Sequence, residues 1–372
     1  MNRISISFLL LCTLTIGACS KSDTATEPPV VAGNTRPANL SQYNKVTAGL
    51  KDYFTAGEYF TMGAAITPST VDNTDASKLL KRHFNSLTAE NGMKWSSLQP
   101  NEGTFKFADA DKIVAFAQAN NMKVRGHTLC WHNQSPDWIF KNGTATASKE
   151  LVLQRLRTHI TTVMNHFKGK VYCWDVVNEA IDDGSNIYKA TNWYNICGED
   201  YIIEAFKAAR LADPAAKLFY NDYSEVSPAK RDKIYDLLKK LKAQNLVDGM
   251  GMQGHWNINY PSNQLLSDAL EKYKSLGIEI QVNELDVSVY NTNTDPQTTF
   301  TSWLEQNQAT AYGRYFNIFR SYKGTITGVT FWGVADNHTW LDNFPVTGRK
   351  NYPFLFDTAY NPKQAYFTVI NF

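Results

Sequence analysis

The chain has no motif for holding a nucleotide and none for holding a metal. No Gly-rich phosphate loop follows its first strand-like run at 59–66. Its 5 cysteines show no metal-ligand spacing. Its 7 histidines show no paired spacing of the His-x-x-x-His kind on one helix face. So the residues call for no cofactor and no metal. The chain also lacks charge of one sign. With 37 Lys and Arg against 35 Asp and Glu, the formal net charge is +2, and no basic block exceeds a few residues. Charge therefore points neither to a nucleic-acid partner nor to a strongly acidic ligand. Internal repeats are missing too, apart from an alternation of strands and helices.

What is present begins with a targeting pattern. Arg3 is followed by a short apolar run, Phe8-Leu9-Leu10-Leu11 and Leu14, which is too short to span a bilayer. Ile16-Gly17-Ala18-Cys19 then sets small residues directly before a cysteine. That arrangement resembles a bacterial lipobox, with residues 1–18 removed and Cys19 lipidated; an ordinary secretory signal with an incidental Cys19 is the other reading. Residues 19–41 are rich in Ser, Thr, Pro and Ala and read as a flexible tether. The expected product is an exported lipoprotein, monomeric and anchored through Cys19 on the periplasmic face or the cell surface. Cys130, Cys173 and Cys197 remain. Cys130 and Cys173 fall near the ends of strands expected to be adjacent, and are either bonded or buried free thiols.

Residues 42–372 read as one domain. An opening helix is expected at 40–55, with Tyr43, Val46, Leu50 and Phe54 at helical spacing. Strands follow at 59–66, 86–90, 123–129, 171–178, 217–222, 249–254, 279–284 and 326–334. Helical patterns follow them at 77–84, 113–119, 150–167, 201–212, 228–244, 263–276, 306–322 and 362–370. Eight strands, each followed by a helix, predict a single (β/α)₈ TIM barrel of the α/β class. A doubly wound sheet is the competing topology.

Two strands end on a carboxylate. Cys173-Trp174-Asp175-Val176-Val177-Asn178-Glu179 and Ile278-Glu279-Ile280-Gln281-Val282-Asn283-Glu284 share one layout. A glutamate there is not placed for packing, because Glu is almost never fully buried unpaired. Two carboxyl groups at the C-terminal rim of a barrel meet the needs of glycoside hydrolysis: one protonates the leaving oxygen and the other attacks or activates water. Other strands end on Glu90-Asn91 with Lys94-Trp95, on Gly126-His127-Thr128-Leu129 with Trp131-His132, on Asn221-Asp222-Tyr223, on Gln253-Gly254-His255-Trp256, and on Phe331-Trp332-Gly333 with Asp336, His338 and Trp340. So many polar and aromatic groups converging at one rim would have no structural purpose. The 9 Trp and 19 Tyr suit either a large core or sugar-stacking walls.

Gly126-His127-Thr128-Leu129-Cys130-Trp131-His132, Trp174-Asp175-Val176-Val177-Asn178-Glu179-Ala180, Asn221-Asp222-Tyr223, Gln253-Gly254-His255 and Glu284-Leu285-Asp286 resemble glycoside hydrolase family 10, chiefly endo-β-1,4-xylanases. The resemblance runs from about Leu40 to the C-terminus. It implies a retaining enzyme acting on xylan and xylo-oligosaccharides. Glu179 is then the general acid/base and Glu284 the nucleophile, with His255 bonded to the nucleophile and Asn178 binding the 2-hydroxyl beside the scissile bond. Glu90, Asn91, Lys94, His127 and Trp131 form the clamp on the glycone sugars, and Trp332 and Trp340 its walls. Gln253 and Tyr223 serve positioning and the leaving side. Asn283, Ser224 and Gln364 depart from the family's usual residues. Asn283 bears on how the nucleophile is oriented, and Ser224 on the leaving-side subsites. The segments 182–197 and 290–303 are expected to set the tolerated xylan decorations.

Three other functions compete. A sugar-binding lipoprotein that kept the barrel would have lost a glutamate, and both are present. A hydrolase of another β-linked glucan fits the paired glutamates but not the His127–Trp131 and Gln253–His255 motifs. A metal hydrolase lacks its ligand spacing.

Overall fold

Eight mostly apolar runs pair side by side, each parallel to the next, and the last closes onto the first. In the computed structural model, which describes residues 36–372, they are β1 (Thr61–Ile66), β2 (Ser86–Ala89), β3 (Lys123–Trp131), β4 (Cys173–Asn178), β5 (Lys217–Asp222), β6 (Gly249–Met252), β7 (Glu279–Ser288) and β8 (Ile326–Phe331). β8 pairs with both β7 and β1, which closes the barrel. Helices α1 (Thr74–His83), α2 (Ala108–Ala119), α3 (Lys149–Phe167), α4 (Asp200–Ala212), α5 (Pro228–Ala243), α6 (Asn263–Lys274), α7 (Ser302–Ser321) and α8 (Gln364–Ile370) follow the strands in turn. The protein is a (β/α)₈ barrel. The expected signal segment, Cys19 and the tether up to residue 35 lie outside the described residues.

The strands read as near-continuous apolar runs because helices cover one face and the barrel interior the other. The interior is filled by matching large residues to small ones. A Cβ on Gly126 would lie 2.1 Å from the Trp174 ring, so β3 is glycine there to admit the fully buried Trp174 of β4. The helices present one apolar stripe each. α3 buries Val152, Leu156, Ile160, Val163 and Phe167, three or four residues apart as a helix face requires. Its start is capped by the Ser148 hydroxyl, which accepts from the Leu151 amide at 3.3 Å.

The expected opening helix is two short ones, Leu40–Tyr43 and Leu50–Ala56. Gly49 breaks it. A Cβ there would lie 2.0 Å from the Arg82 carbonyl oxygen, so the chain passes tightly under the end of α1. The Arg82 guanidinium satisfies the loosened Tyr43 and Val46 carbonyls at 2.9 and 2.7 Å. Strands three and seven run past their expected ends, to Trp131 and Ser288, because each continues beyond an irregularity in its pairing. Strand six stops at Met252, and His255–Asn257 then pairs with Asp286–Ser288. Strand eight stops at Phe331. Cys130, Cys173 and Cys197 are free buried thiols. Register sets Cys173 opposite Arg125 and Cys130 opposite Val177, so the first two lie roughly 13 Å apart along the strands, too far to bond.

Candidate active site

The end of β4 is bent sharply toward the barrel mouth. Glu179 has φ 57°, a left-handed conformation that costs a non-glycine residue about 1–3 kcal/mol and persists only where its surroundings impose it. The next strand imposes it. The Glu179 amide donates to the Asn221 carbonyl at 2.9 Å. The Ala180 and Ile181 amides donate to the Tyr220 hydroxyl at 3.0 and 3.1 Å, and that hydroxyl donates to Asp222. The bend aims the carboxylate into the cleft. Its Oε1 accepts from Gln253 Nε2 at 2.9 Å and from Asn178 Nδ2 at 3.3 Å. Its Oε2 faces Lys189 Nζ at 3.9 Å.

Glu284 sits within the pairing irregularity of β7, between Val282 and Leu285, and is 4% exposed. Its Oε1 accepts from Asn221 Nδ2 at 2.7 Å and its Oε2 from His255 Nε2 at 3.1 Å. Burial alone would raise this carboxyl's proton affinity. The His127 ring, the His255 bond and charge, and Lys94 outweigh burial and hold it below the usual range. His255 also contacts Asp286 Oδ2 through Nδ1 at 2.9 Å. Both its partners are carboxylates, which accept, so both ring nitrogens must donate and the ring is an imidazolium. Burial opposes that charge, but Asp286 and Glu284 raise the ring well above its ordinary value.

Beneath the two glutamates lies a buried polar scaffold. Arg125 grips Asp175 with two bonds, at 3.1 and 2.8 Å, and its Nε donates to Gln281 at 2.7 Å. The other donors on Asp175 are His127 Nδ1 at 3.0 Å and Asn283 Nδ2 at 3.2 Å. The same Asn283 nitrogen reaches Asn221 Oδ1 at 3.2 Å, so Asn283 orients the amide that holds Glu284. Burial raises Asp175's proton affinity, and Arg125 with His127 brings it below its ordinary value. Gly251 leaves room for this amide pair; a Cβ there would lie 2.2 Å from Asn283 Nδ2 and 2.4 Å from Asn221 Oδ1.

All thirteen barrel residues expected from the sequence line one cleft of about 680 Å³ at the C-terminal rim. On one side, Lys94 Nζ donates to Asn91 Oδ1 at 3.0 Å, and Asn91 Nδ2 donates to Glu90 Oε1 at 3.2 Å. The Lys94 ammonium lies 4.8 Å from the Trp131 ring centre and 5.9 Å from that of Trp332. Burial raises the Glu90 carboxyl and lowers the Lys94 ammonium, while each pulls the other back toward its charged form. Trp340 stands over His255, ring centres 5.0 Å apart, and its Nε1 donates to Asp286 Oδ2 at 2.9 Å. Asn178 Oδ1 accepts from Asn221 at 3.0 Å and from Gln253 at 3.3 Å. Tyr223 lies on the other side, bonded to Lys189 Nζ at 2.8 Å.

The sequence reading gave no individual role to Lys189, which lies in the segment 182–197, or to Tyr260 and Phe344, and the structure places all three in this cleft. It also gave no role to Arg125 and Asp175, which orient His127 and Asn283 from inside the barrel. Lys189 carried a faint signal, as the only basic residue between Ile181 and Thr191.

The model of the family described as "Glycosyl hydrolase family 10" matches residues 49–372. A protein named beta-1,4-xylanase from Dictyoglomus thermophilum is 48% identical over 320 residues, 85% of this chain and 89% of that one. Endo-1,4-beta-xylanase B of Paenibacillus barcinonensis is 48% identical over 317 residues, 84% of this chain and 95% of that one. A crystal structure of xylanase XynB from Paenibacillus barcinonensis, complexed with a conduramine derivative, superposes with a TM-score of 0.84 at 46% identity. It covers 87% of this chain and 98% of its own. With its barrel, its two rim glutamates and this match along nearly the whole of the barrel, the chain belongs to glycosyl hydrolase family 10.

Proposed function

We infer that the protein is an endo-1,4-β-xylanase that hydrolyses internal β-1,4-xylosidic bonds with retention of anomeric configuration. The observation that carries the mechanism is the unlike environment of two glutamates in one cleft. Glu284 is gripped by an amide and an imidazolium and kept ionised. Glu179 takes its hydrogen bonds, among the described residues, from two neutral amides. The substrate rests on relatives whose names say xylanase at 48% identity.

Glu284 attacks the anomeric carbon while Glu179 gives its proton to the leaving oxygen. Water then attacks the covalent intermediate, with Glu179 now acting as base. His255 and Asn221 fix the line of attack. Asn178, already tied to Asn221 and Gln253, offers its amide to the sugar hydroxyl beside the scissile bond. Glu90, Asn91, Lys94, His127 and Trp131 hold the glycone sugars between Trp332 and Trp340, and Tyr223 with Gln253 serves the leaving side.

The N-terminal pattern ending in Ile16-Gly17-Ala18-Cys19 supports export and anchoring through lipid on Cys19. Labelling of cells with a radioactive fatty acid, abolished by C19A, tests the anchor. Release of reducing ends from β-1,4-xylan and from carboxymethyl-cellulose in parallel tests the activity. Xylan is the expected substrate, and preference for cellulose would overturn the assignment.

A further inference from the structure

The loop after β4 folds back on itself. The Asp182 amide donates to the Ile187 carbonyl at 3.0 Å and the Lys189 amide to the Ala180 carbonyl at 2.9 Å. Lys233 Nζ clamps the tip, donating to the carbonyls of Asp182, Gly184 and Asn186 at 3.0, 2.6 and 2.7 Å. This rigid turn brings Lys189 beside the proton donor's own strand end. Its ammonium lies 3.9 Å from Glu179 Oε2, and its side chain is 14% exposed.

The neighbours of Lys189 leave its charge free to act on Glu179. It donates to the Tyr223 hydroxyl at 2.8 Å, and that hydroxyl donates onward to Asp183. Asp183 lies 3.9 Å from Lys189, but it is already engaged by Lys230 at 2.6 Å. Lys230 in turn reaches Asp222 at 2.9 Å. Tyr223 thus anchors the ammonium through a neutral bond, while Asp183 has its closest ion pair with Lys230, which it shares with Asp222.

We propose that Lys189 is a positioning residue for proton donation, offsetting the negative charge that appears on Glu179 as its proton leaves. This rests on the retaining hydrolase reading above. In the first step a Glu284 oxygen bonds to the anomeric carbon. The bond from that carbon to the leaving oxygen breaks, its electron pair staying on that oxygen, which takes the proton from Glu179. Glu179 gains one negative charge and Glu284 loses one. Negative charge therefore moves across the cleft to the side where Lys189 stands. In the second step a water oxygen bonds to the anomeric carbon and its proton goes to Glu179. The bond to Glu284 breaks with the pair returning to that carboxylate. The demand on Lys189 is thus tied to proton transfer at the leaving oxygen, and a leaving group that departs as a stable anion does not make it.

The test compares kcat/KM for wild type, K189M and K189R on xylohexaose and on 2,4-dinitrophenyl β-xylobioside, whose dinitrophenolate needs no proton. K189M is expected to lose about tenfold or more on xylohexaose, a fraction of what general acid catalysis supplies. Its loss on the dinitrophenyl glycoside should be less than about twofold, and K189R should recover most of the xylohexaose rate. Equal losses on both substrates would mark Lys189 as merely structural and overturn the proposal, as would no loss on either. Wild-type protein inactive on both would instead remove the hydrolase reading, a result told apart before any variant is compared.

Discussion

His255 Nε2 lies 3.1 Å from Glu284 Oε2 while its Nδ1 lies 2.9 Å from Asp286 Oδ2. One imidazolium thus bridges two buried carboxylates, and it faces the one proposed to attack the sugar. Its charge keeps the nucleophile ionised in a site where burial favours the protonated form.

Removing that charge should move the acid side of the activity profile. Burial raises Glu284, and His127, His255 and Lys94 together bring it below the usual carboxylate range. In wild type, activity is lost as pH falls through this lowered value. H255A should therefore lose kcat/KM at a higher pH than wild type when both are followed between about pH 4 and 7. An unshifted acid limb would contradict the role given to His255.

Replacing the nucleophile should remove turnover and spare the fold. E284Q keeps the size of the side chain and an oxygen able to accept from Asn221 or His255. We expect kcat on xylan to fall by at least ~10⁴-fold, with a melting temperature within a few degrees of wild type. Appreciable turnover by a pure E284Q sample would remove Glu284 from the chemistry.

The ion pair inside the barrel makes a stability prediction. Arg125 and Asp175 are 1% and 0% exposed, and R125M would leave the Asp175 charge buried without its main partner. Losing one member of such a pair costs about 3–5 kcal/mol, read as a lower urea midpoint. His127 and Asn283 would also lose their anchor, so activity should fall further than the loss of folded protein explains. A change below about 1 kcal/mol would show that the pair is not holding the barrel.

Much of this was legible from the chain itself. The β4 and β7 glutamates could be found because an apolar strand ending on a carboxylate is unusual enough to need a function. The eight strand–helix units could be found because their periodicities alternate cleanly. The break at Gly49 was hidden, since it depends on a carbonyl of α1 more than thirty residues away. The continuation of β3 and β7 past their irregularities was hidden for the same reason: partner strands, not local propensity, carry it. Lys189 looks like any loop lysine until the hairpin at Ile181–Tyr188 folds it back onto Glu179. Arg125 and Asp175 lie inside strands, where sequence shows a polar residue but not what it faces.

Behind the cleft wall, Glu225 supplies a pH-dependent term. It is 1% exposed, and its Oε1 accepts from Trp256 Nε1 at 3.2 Å. Its Oε2 has no hydrogen-bond partner among the described residues. Burial pushes this carboxyl up to about 7, against smaller opposing effects of backbone and side-chain bonds. The folded value lies above the unfolded one, so the folded state binds the proton more tightly. Stability then declines as pH rises from the unfolded value, about 4.3, to the folded one, by roughly 4 kcal/mol. E225Q cannot ionise, so its melting temperature relative to wild type should improve steadily between about pH 5 and 8. A difference that stays constant across that range would contradict the assignment.

The central claim is double displacement by Glu284 and Glu179, and it is tested most directly by NMR of the first sugar released from xylan. With the purified domain in deuterated buffer, the account predicts that the β-anomer signal appears first and the α-anomer grows in only by mutarotation. An α-anomer appearing first would mean a single inverting attack by water, and the roles given to both glutamates would have to be withdrawn.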